Sequence, residues 1–132
     1  MIEGAQTLGE LLFRASDRYV DRAAFVIYDE AISYRTLAER ATAMAGYLTA
    51  SGLVPGDRVA VWLPNGAVFL ELAFGCALAG LMFAPMNTRL RSVDAADALR
   101  KSGARALFFT QEFLGTEITA FHARAFLDGG DV

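Results

Sequence analysis

The sequence has 132 residues, a length that fits one domain. Because 55% of the residues are hydrophobic and only 20% are charged, the domain has more apolar surface than its own core needs. Its net charge of −3 and the lack of a basic stripe exclude nucleic acid as a predicted partner, because binding to phosphate backbones needs clustered Lys and Arg. With no secretory signal pattern at the N-terminus and only one cysteine, the protein is expected to be cytoplasmic.

The first elements are a helix and a hairpin. Thr7 and Glu10 have the spacing of a capping box, so a helix is predicted from Leu8 to about Tyr19. Its expected apolar face holds four residues at helical spacing: Leu8, Leu11, Leu12 and Ala15. Two short strands are then predicted at residues 23–28 and 31–34, with Asp29 and Glu30 as the turn between them.

A second helix and a buried strand follow. From Tyr34 the apolar residues repeat with a helical period, and Gly52 is expected to end this helix. A turn at residues 55–57 then leads into residues 59–63, a continuous apolar run typical of a parallel strand covered on both faces. Asn65 is the predicted N-cap of the next helix.

The next segment is the most apolar part of the chain. Residues 67–79 predict a helix buried on most sides, and residues 81–84 predict a strand that Pro85 ends. A membrane span over residues 67–86 is the alternative, since Glu71 is its only charge. Gly75, Gly80 and Pro85 interrupt the run, which favours the buried helix and strand and predicts no membrane span.

The last elements complete the predicted sheet. Ser92 is expected to cap a helix over residues 93–101 that Gly103 ends, and a buried strand follows at residues 106–110. Residues 111–127 are expected to be helical in part, and residues 128–132 to be a frayed or truncated end. Because strands and helices alternate, we predict one α/β domain over residues 1–132, with three layers and helices on both faces of an open, mostly parallel sheet.

Few residues suggest catalytic chemistry. No glycine-rich phosphate loop follows a strand, so nucleotide binding cannot be derived from such a motif here. His122 stands alone and Cys76 lies in the apolar helix, so both are interpreted as packing or surface residues, and no metal site is predicted. Asp57 and Arg58 are interpreted as stabilising the turn before their strand.

Three polar residues lie where open α/β sheets bind ligands. Asn65 and Asn87 each follow a predicted strand, at its carboxyl end, although Asn there also caps helices and forms turns. Arg89 lies just beyond, and its planar guanidinium suits a phosphate, with a solvated loop residue as the alternative.

Several segments in register resemble the N-terminal region of the adenylate-forming ligases, the superfamily that contains the AMP-forming acyl-CoA synthetases. They include Gly52 through Asn65, Gly75 through Asn87, and the strand around Phe108. The ending Asn87-Thr88-Arg89-Leu90 looks most like the fatty-acyl and aryl-acyl CoA ligases. The resemblance implies that Arg89 approaches the nucleotide phosphate of coenzyme A.

The resemblance also implies what the chain lacks. The superfamily's ATP-phosphate loop, its adenine-binding and ribose-binding segments and its catalytic Lys would all follow Val132. We therefore expect a fragment of an ATP-dependent acyl-CoA synthetase that is inactive alone and has no catalytic residue of its own. ATP, Mg²⁺ and CoA are implied for the full-length parent, and no cofactor is expected on this chain alone.

Two other functions stay open. A stand-alone α/β module derived from such an enzyme would act by docking onto a partner through its apolar faces. An unrelated doubly wound domain would bind a nucleotide or flavin at its strand ends. The expected partners are the remainder of the ligase or a partner chain, with self-association through uncovered apolar faces.

Overall fold

The computed structural model describes residues 4–110, and only the backbone of residues 112–113, 116–117 and 124–125 beyond them. The elements in chain order are α1 (Leu8–Tyr19), β1 (Ala23–Ile27), β2 (Glu30–Ser33), α2 (Tyr34–Ala50), β3 (Arg58–Trp62), α3 (Ala67–Ala79), β4 (Met82–Pro85), α4 (Ser92–Ser102), β5 (Ala106–Phe109), β6 (Glu112–Phe113), β7 (Thr116–Glu117) and β8 (Arg124–Ala125). His122 and the predicted frayed end at residues 128–132 lie outside the described residues.

The central sheet has the order β4-β3-β5-β8, and β3 is parallel to both β4 and β5. Successive residues of β3 point to opposite faces, as the strand period requires. Val59 and Val61 pack in a core with residues of α2 and α3, whereas Ala60 packs with Leu99 of α4 on the other face. The predicted three-layer α/β architecture, with helices on both faces of a mostly parallel sheet, is therefore confirmed.

Helix α3 separates two of the hydrophobic cores. Leu72 and Cys76 face the core above the sheet, while Phe74 packs against a second core that α1, α2 and the β1–β2 hairpin form. This double contact explains why the helix is apolar nearly all round. It is less covered than predicted, since most of its residues are half-buried. No helix in the described part of the chain is long and apolar enough to cross a membrane.

Helix α1 begins as predicted but buries a different face. The Thr7 hydroxyl accepts a hydrogen bond from the Glu10 backbone N–H (3.1 Å). The Glu10 carboxylate accepts from the Gln6 N–H (2.8 Å), so the capping box is modified. Of the predicted apolar face, Leu12 and Ala15 are buried, whereas Leu8 and Leu11 are exposed, because the helix packs through the narrower face that holds three residues: Gly9, Leu12 and Ala15. Glycine and alanine on that face allow close packing against neighbouring side chains.

The hairpin turn lies one residue earlier than predicted. Ile27 pairs with Glu30, so the turn residues are Tyr28 and Asp29, and Tyr28 has a φ of +54°. Moving the turn by one residue shifts the pairing between the two strands by two residues, so each side chain keeps its face and changes its partner. The observed register pairs Phe25 with the buried Ile32, which places both against the second core.

Two predicted caps are wrong, and a third cap was not predicted. Ser33, which was not predicted as a cap, accepts a hydrogen bond from the Thr36 N–H (3.1 Å) and caps α2. Asn65 does not cap α3, because Gly66 occupies the cap position without a side-chain bond. Ser92 is the first residue of α4 instead of its cap, and the cap residue Arg91 pairs with Asp94 in the first turn (3.1 Å).

The expectation of helix after residue 110 is wrong for the described residues there. The strands β6 and β7 pair antiparallel with each other, and β8 pairs antiparallel with β5. Pairing with β5 also satisfies backbone groups that an open sheet edge would leave exposed.

Candidate functional site

A cleft of about 420 Å³ lies at the carboxyl ends of β3 and β4. This is the edge where open α/β sheets bind ligands, and the volume is in the range of small-molecule sites. The residues that line it come from the hairpin turn and from the segments that leave the two strands: Tyr28, Leu63, Pro64, Asn65, Phe69, Pro85, Met86, Asn87 and Thr88.

The parallel register of β3 and β4 forms the floor of this cleft. Val61 pairs with Pro85, and the Met86 N–H donates to the Val61 carbonyl (2.9 Å). Pro85 has no N–H to donate, so regular pairing ends and both segments leave the sheet together. The two segments are thus held side by side at the sheet edge.

Asn87 has a structural role in this edge. Its side-chain oxygen accepts a hydrogen bond from the Arg89 backbone N–H (3.0 Å), which is a local Asx turn. Its backbone carbonyl accepts from the Trp62 indole Nε1–H (3.1 Å). The turn interpretation of Asn87 therefore holds, although the residue also lines the cleft.

Asn65 is a polar side chain of the cleft that the fold does not use as a cap. It is exposed, it lines the cleft, and its amide makes no hydrogen bond to another described residue. A side-chain amide offers donors and an acceptor at once. Asn65 can therefore bind a neutral polar group.

Arg89 lies one residue beyond the cleft lining and is exposed. Its backbone is tied to Asn87, whereas its side chain extends into solvent at the same edge of the sheet. The role of Arg89 at the phosphate of coenzyme A stays a prediction.

The lining residues of the cleft carry no ionisable acid or base other than the Tyr28 phenol. The described residues also contain no group of three or more His, Cys, Asp or Glu side chains that could hold a metal ion. The arrangement is thus suited to binding through apolar contact, aromatic stacking and neutral hydrogen bonds.

Asp57 and Arg58 lie at the amino end of β3, on the side of the sheet opposite to the cleft. The Asp57 carboxylate accepts from the Val54 N–H (2.9 Å) and lies 3.8 Å from the Arg105 guanidinium. Arg58 donates to the Ser102 carbonyl (2.9 Å). These contacts agree with the predicted turn-stabilising role. Neither residue lines the cleft.

Tyr28 is the cleft residue that sequence reasoning missed. The predicted turn excluded it by one residue, so it was read as part of a strand. The available signal was the poor match of Asp29 and Glu30 to hairpin-turn chemistry, which favours Asn-Gly or Asp-Gly.

Cys76 is buried, and its surroundings make it unreactive. Burial raises the pKa of the Cys76 thiol to about 11, from an ordinary value of 9.0. Since the thiolate is the nucleophile, the folded chain is expected not to react with a disulfide reagent at about pH 8, and to react once urea unfolds it. Rapid labelling of the native chain would contradict this burial.

The same pKa predicts a pH dependence of stability. The folded state holds the thiol proton up to about pH 11, whereas the unfolded chain releases it near 9.0. The contribution of Cys76 to the free energy of unfolding is therefore fully present below about pH 9, and it is lost as the pH rises towards 11. Urea unfolding at several pH values should show this fall for the natural chain and a smaller fall for the Cys76→Ala variant.

Comparison with known proteins agrees with this fold. Residues 12–127 match the family described as "AMP-binding enzyme". The feruloyl-CoA synthase of an Amycolatopsis species is 42% identical over 86 residues, which are 65% of this chain and 18% of that protein. A long-chain-fatty-acid–CoA ligase of Salmonella typhimurium is 37% identical over 112 residues, 84% of this chain and 20% of the ligase.

A solved structure shows the same architecture. The N-terminal subdomain of NpsA from Klebsiella oxytoca superposes with a TM-score of 0.75 at 26% identity, over 80% of this chain and 28% of that one. The chain spans about a fifth of the length of the curated relatives described above. Because the family match extends over most of the sequence, this chain belongs to the AMP-binding enzymes, and its fold corresponds to an N-terminal subdomain like that of NpsA.

Proposed function

We propose that this chain is the N-terminal part of an ATP-dependent acyl-CoA synthetase. The whole enzyme would convert a carboxylic acid to an acyl-adenylate and then transfer the acyl group to coenzyme A. The family match over residues 12–127 carries this proposal, and the ligation to CoA named for both curated relatives supports it.

The proposed acid is a fatty or an aryl acid. The two relatives are named for a long-chain fatty acid and for the aryl acid ferulate, so both classes are consistent with this sequence. The proposed cofactors of the whole enzyme are ATP, Mg²⁺ and CoA. The chain's own contribution would be the α/β scaffold and the cleft at the ends of β3 and β4.

The isolated chain is proposed to be inactive in adenylation. Its sequence has no glycine-rich phosphate loop, and the lining of its cleft has no cation to neutralise a triphosphate. Arg89 beside the cleft is proposed to contact a phosphate of CoA, since its guanidinium has the geometry for such a contact. The natural protein is proposed to be cytoplasmic.

The experiment begins with the natural protein in its source cells. An antibody raised against this chain would capture it, and intact mass would be measured together with acyl-CoA formation from ATP, CoA and either palmitate or ferulate. We expect a species several times heavier than 14.2 kDa that forms acyl-CoA. The purified 132-residue chain, free of host ligases, should release no pyrophosphate under the same conditions. Pyrophosphate release by that chain would contradict the proposal.

A docking module is the second candidate, because apolar side chains are exposed on the edge strand of the sheet and on helix α4. Met82 lies on the edge strand β4 with half its surface exposed, and Val93 is largely exposed on α4. A natural species of 14.2 kDa that forms a stable dimer or heteromer would favour this function over the synthetase.

A further inference from the structure

A second cavity, of about 290 Å³, lies between α1, strand β1 of the hairpin and the helices α2 and α3. Except for Tyr34, the described residues that line it are all alanine, leucine or phenylalanine. It shares no lining residue with the cleft at the ends of β3 and β4. An engineered apolar cavity of about 150 Å³, lined by leucine, isoleucine and phenylalanine, is enough to bind benzene. The second cavity is therefore large enough for a small ring.

A β-bulge in the hairpin forms one wall of this cavity. Ala23 pairs with Ser33 and Phe25 pairs with Ile32, so Ala24 is an extra residue without a partner on β2. Consecutive residues of a regular strand point to opposite faces, yet Ala24 and Phe25 both line the cavity. A bulge permits this because it turns one side chain towards the face of its neighbour, and bulges are frequent next to active sites. The small side chain of Ala24 leaves space in this wall.

The second core is not closed over this cavity. Phe25, Leu70 and Phe74 are only half-buried, and Leu11 is 38% exposed. Burial of apolar surface provides about 25 cal/mol per Å², so these side chains forgo part of the stabilisation that a closed core would give. The position of Leu11 at the cavity also explains why it is exposed although helical spacing predicted it on the apolar face of α1. An apolar ligand would cover this surface.

Tyr34 supplies the polar group of the cavity. Its phenol makes no hydrogen bond to another described residue, and its ring contacts that of Tyr19, with 5.7 Å between the centroids. A phenol can both donate and accept a hydrogen bond. Phe25 and Phe74 add aromatic rings, which prefer edge-to-face or offset contact with another ring. The described lining has no charged side chain, so a carboxylate buried there would have no partner.

We propose that this second cavity binds a small neutral aromatic molecule, such as a phenol, whose ring contacts Phe25 and Phe74 and whose hydroxyl bonds to the Tyr34 phenol. The ligand would complete the second core and hold α1 and the hairpin against α3. It differs from the proposed acid substrates, whose carboxylate would find no partner in this lining. Its binding can be measured on the 132-residue chain without ATP or CoA.

The test is a titration of the ¹³C-methyl-labelled chain, followed by NMR, with toluene, p-cresol and benzoate as probes of similar size. Toluene and p-cresol should shift the methyl resonances of Leu11, Leu37 and Leu70 and give intermolecular NOEs to them, because all three residues line the cavity. Benzoate should bind at least about ten-fold more weakly than toluene, since its charge would be buried without a partner.

Three variants separate the cavity from general effects. Ala24→Leu adds carbons to the bulge and should weaken toluene binding about ten-fold or more, because those carbons occupy the space of the ligand. Ala23→Leu is the matched control, since Ala23 is the exposed neighbour on the same strand and does not line the cavity. Tyr34→Phe should weaken p-cresol about two- to ten-fold, the range for one hydrogen bond, and leave toluene within about two-fold.

Shifts and NOEs confined to the cavity, and lost in Ala24→Leu, would support the site. The absence of shifts at the solubility limit of toluene, equal binding of benzoate, or NOEs to methyl groups elsewhere would overturn it. Undiminished binding by a folded Ala24→Leu variant would overturn it as well, and the NOEs of the natural chain decide the matter if that variant does not fold. The same methyl shifts on raising the protein concentration without ligand would assign the cavity to a side chain of a second copy, against the proposal.

Discussion

Replacing Leu72 with Ala is expected to lower the free energy of unfolding by about 2–5 kcal/mol, the range for removing a fully buried leucine side chain. Leu72 has 0% of its surface exposed and packs in the main core with Val59 and Val61 of the central strand. The loss combines the transfer of the removed carbons with the cavity left between α3 and the sheet. Urea unfolding followed by circular dichroism measures it.

Val68 is the matched control on the same helix. It is 37% exposed, so Val68→Ala should change the free energy of unfolding by less than about 1 kcal/mol. Both variants remove apolar carbons from α3, and they differ mainly in burial. Equal effects of the two substitutions would show that α3 does not pack on the sheet as the structure has it.

Replacing Gly75 with Ala is expected to destabilise the chain, whereas the same change at Gly46 is expected to stabilise it. A methyl group at Gly75 would lie 2.7 Å from Cγ and 2.9 Å from Cβ of Met44, where α2 and α3 pack closely. Overpacking of this kind costs about 1–3 kcal/mol, which exceeds the ~1 kcal/mol that alanine gains over glycine in a helix. At Gly46 no atom lies within 4 Å of the added methyl, so only that gain remains.

The pair of substitutions tests the α2–α3 contact directly. Both glycines lie within helices, so the gain in helix propensity is the same for the two Gly→Ala variants. Their stability changes should therefore differ only through the atoms that the added methyl group meets. Gly75→Ala should cost less stability in a Met44→Ala background than in the natural chain, because the Cγ at 2.7 Å is then absent and only the Cβ at 2.9 Å remains. A stabilising effect of Gly75→Ala would mean that the two helices lie further apart.

Much of the candidate site could be placed from the sequence. Pro85 follows a short apolar run and cannot donate to a strand, and the ladder does end there. The prediction that Asn65 and Asn87 follow parallel strands was correct, and both line the cleft. The order of strands and helices was also readable, because a change from helical to strand period is a local property of the chain.

Local patterns alone predicted α3 correctly to the residue, from Ala67 to Ala79. Gly80 and Gly103 end their helices with φ values of +71° and +65°, which glycine adopts without steric cost. Hydrophobic periodicity, glycine and proline act within a few residues of themselves. They therefore determined the element types up to residue 110, most of the boundaries to within one residue, and the α/β class.

Tertiary packing decided the rest. Which face of α1 is buried depended on where Gly9 meets α3, and the hairpin register depended on which residues reach the second core. That register moved Tyr28 into the turn and beside the cleft, and the Gly66 cap of α3 left the Asn65 amide unused. Such choices depend on contacts between residues distant in the sequence, whose burial outweighs the smaller preferences of local segments. Local patterns predicted the elements and their order up to residue 110, and packing decided which side chains share the site.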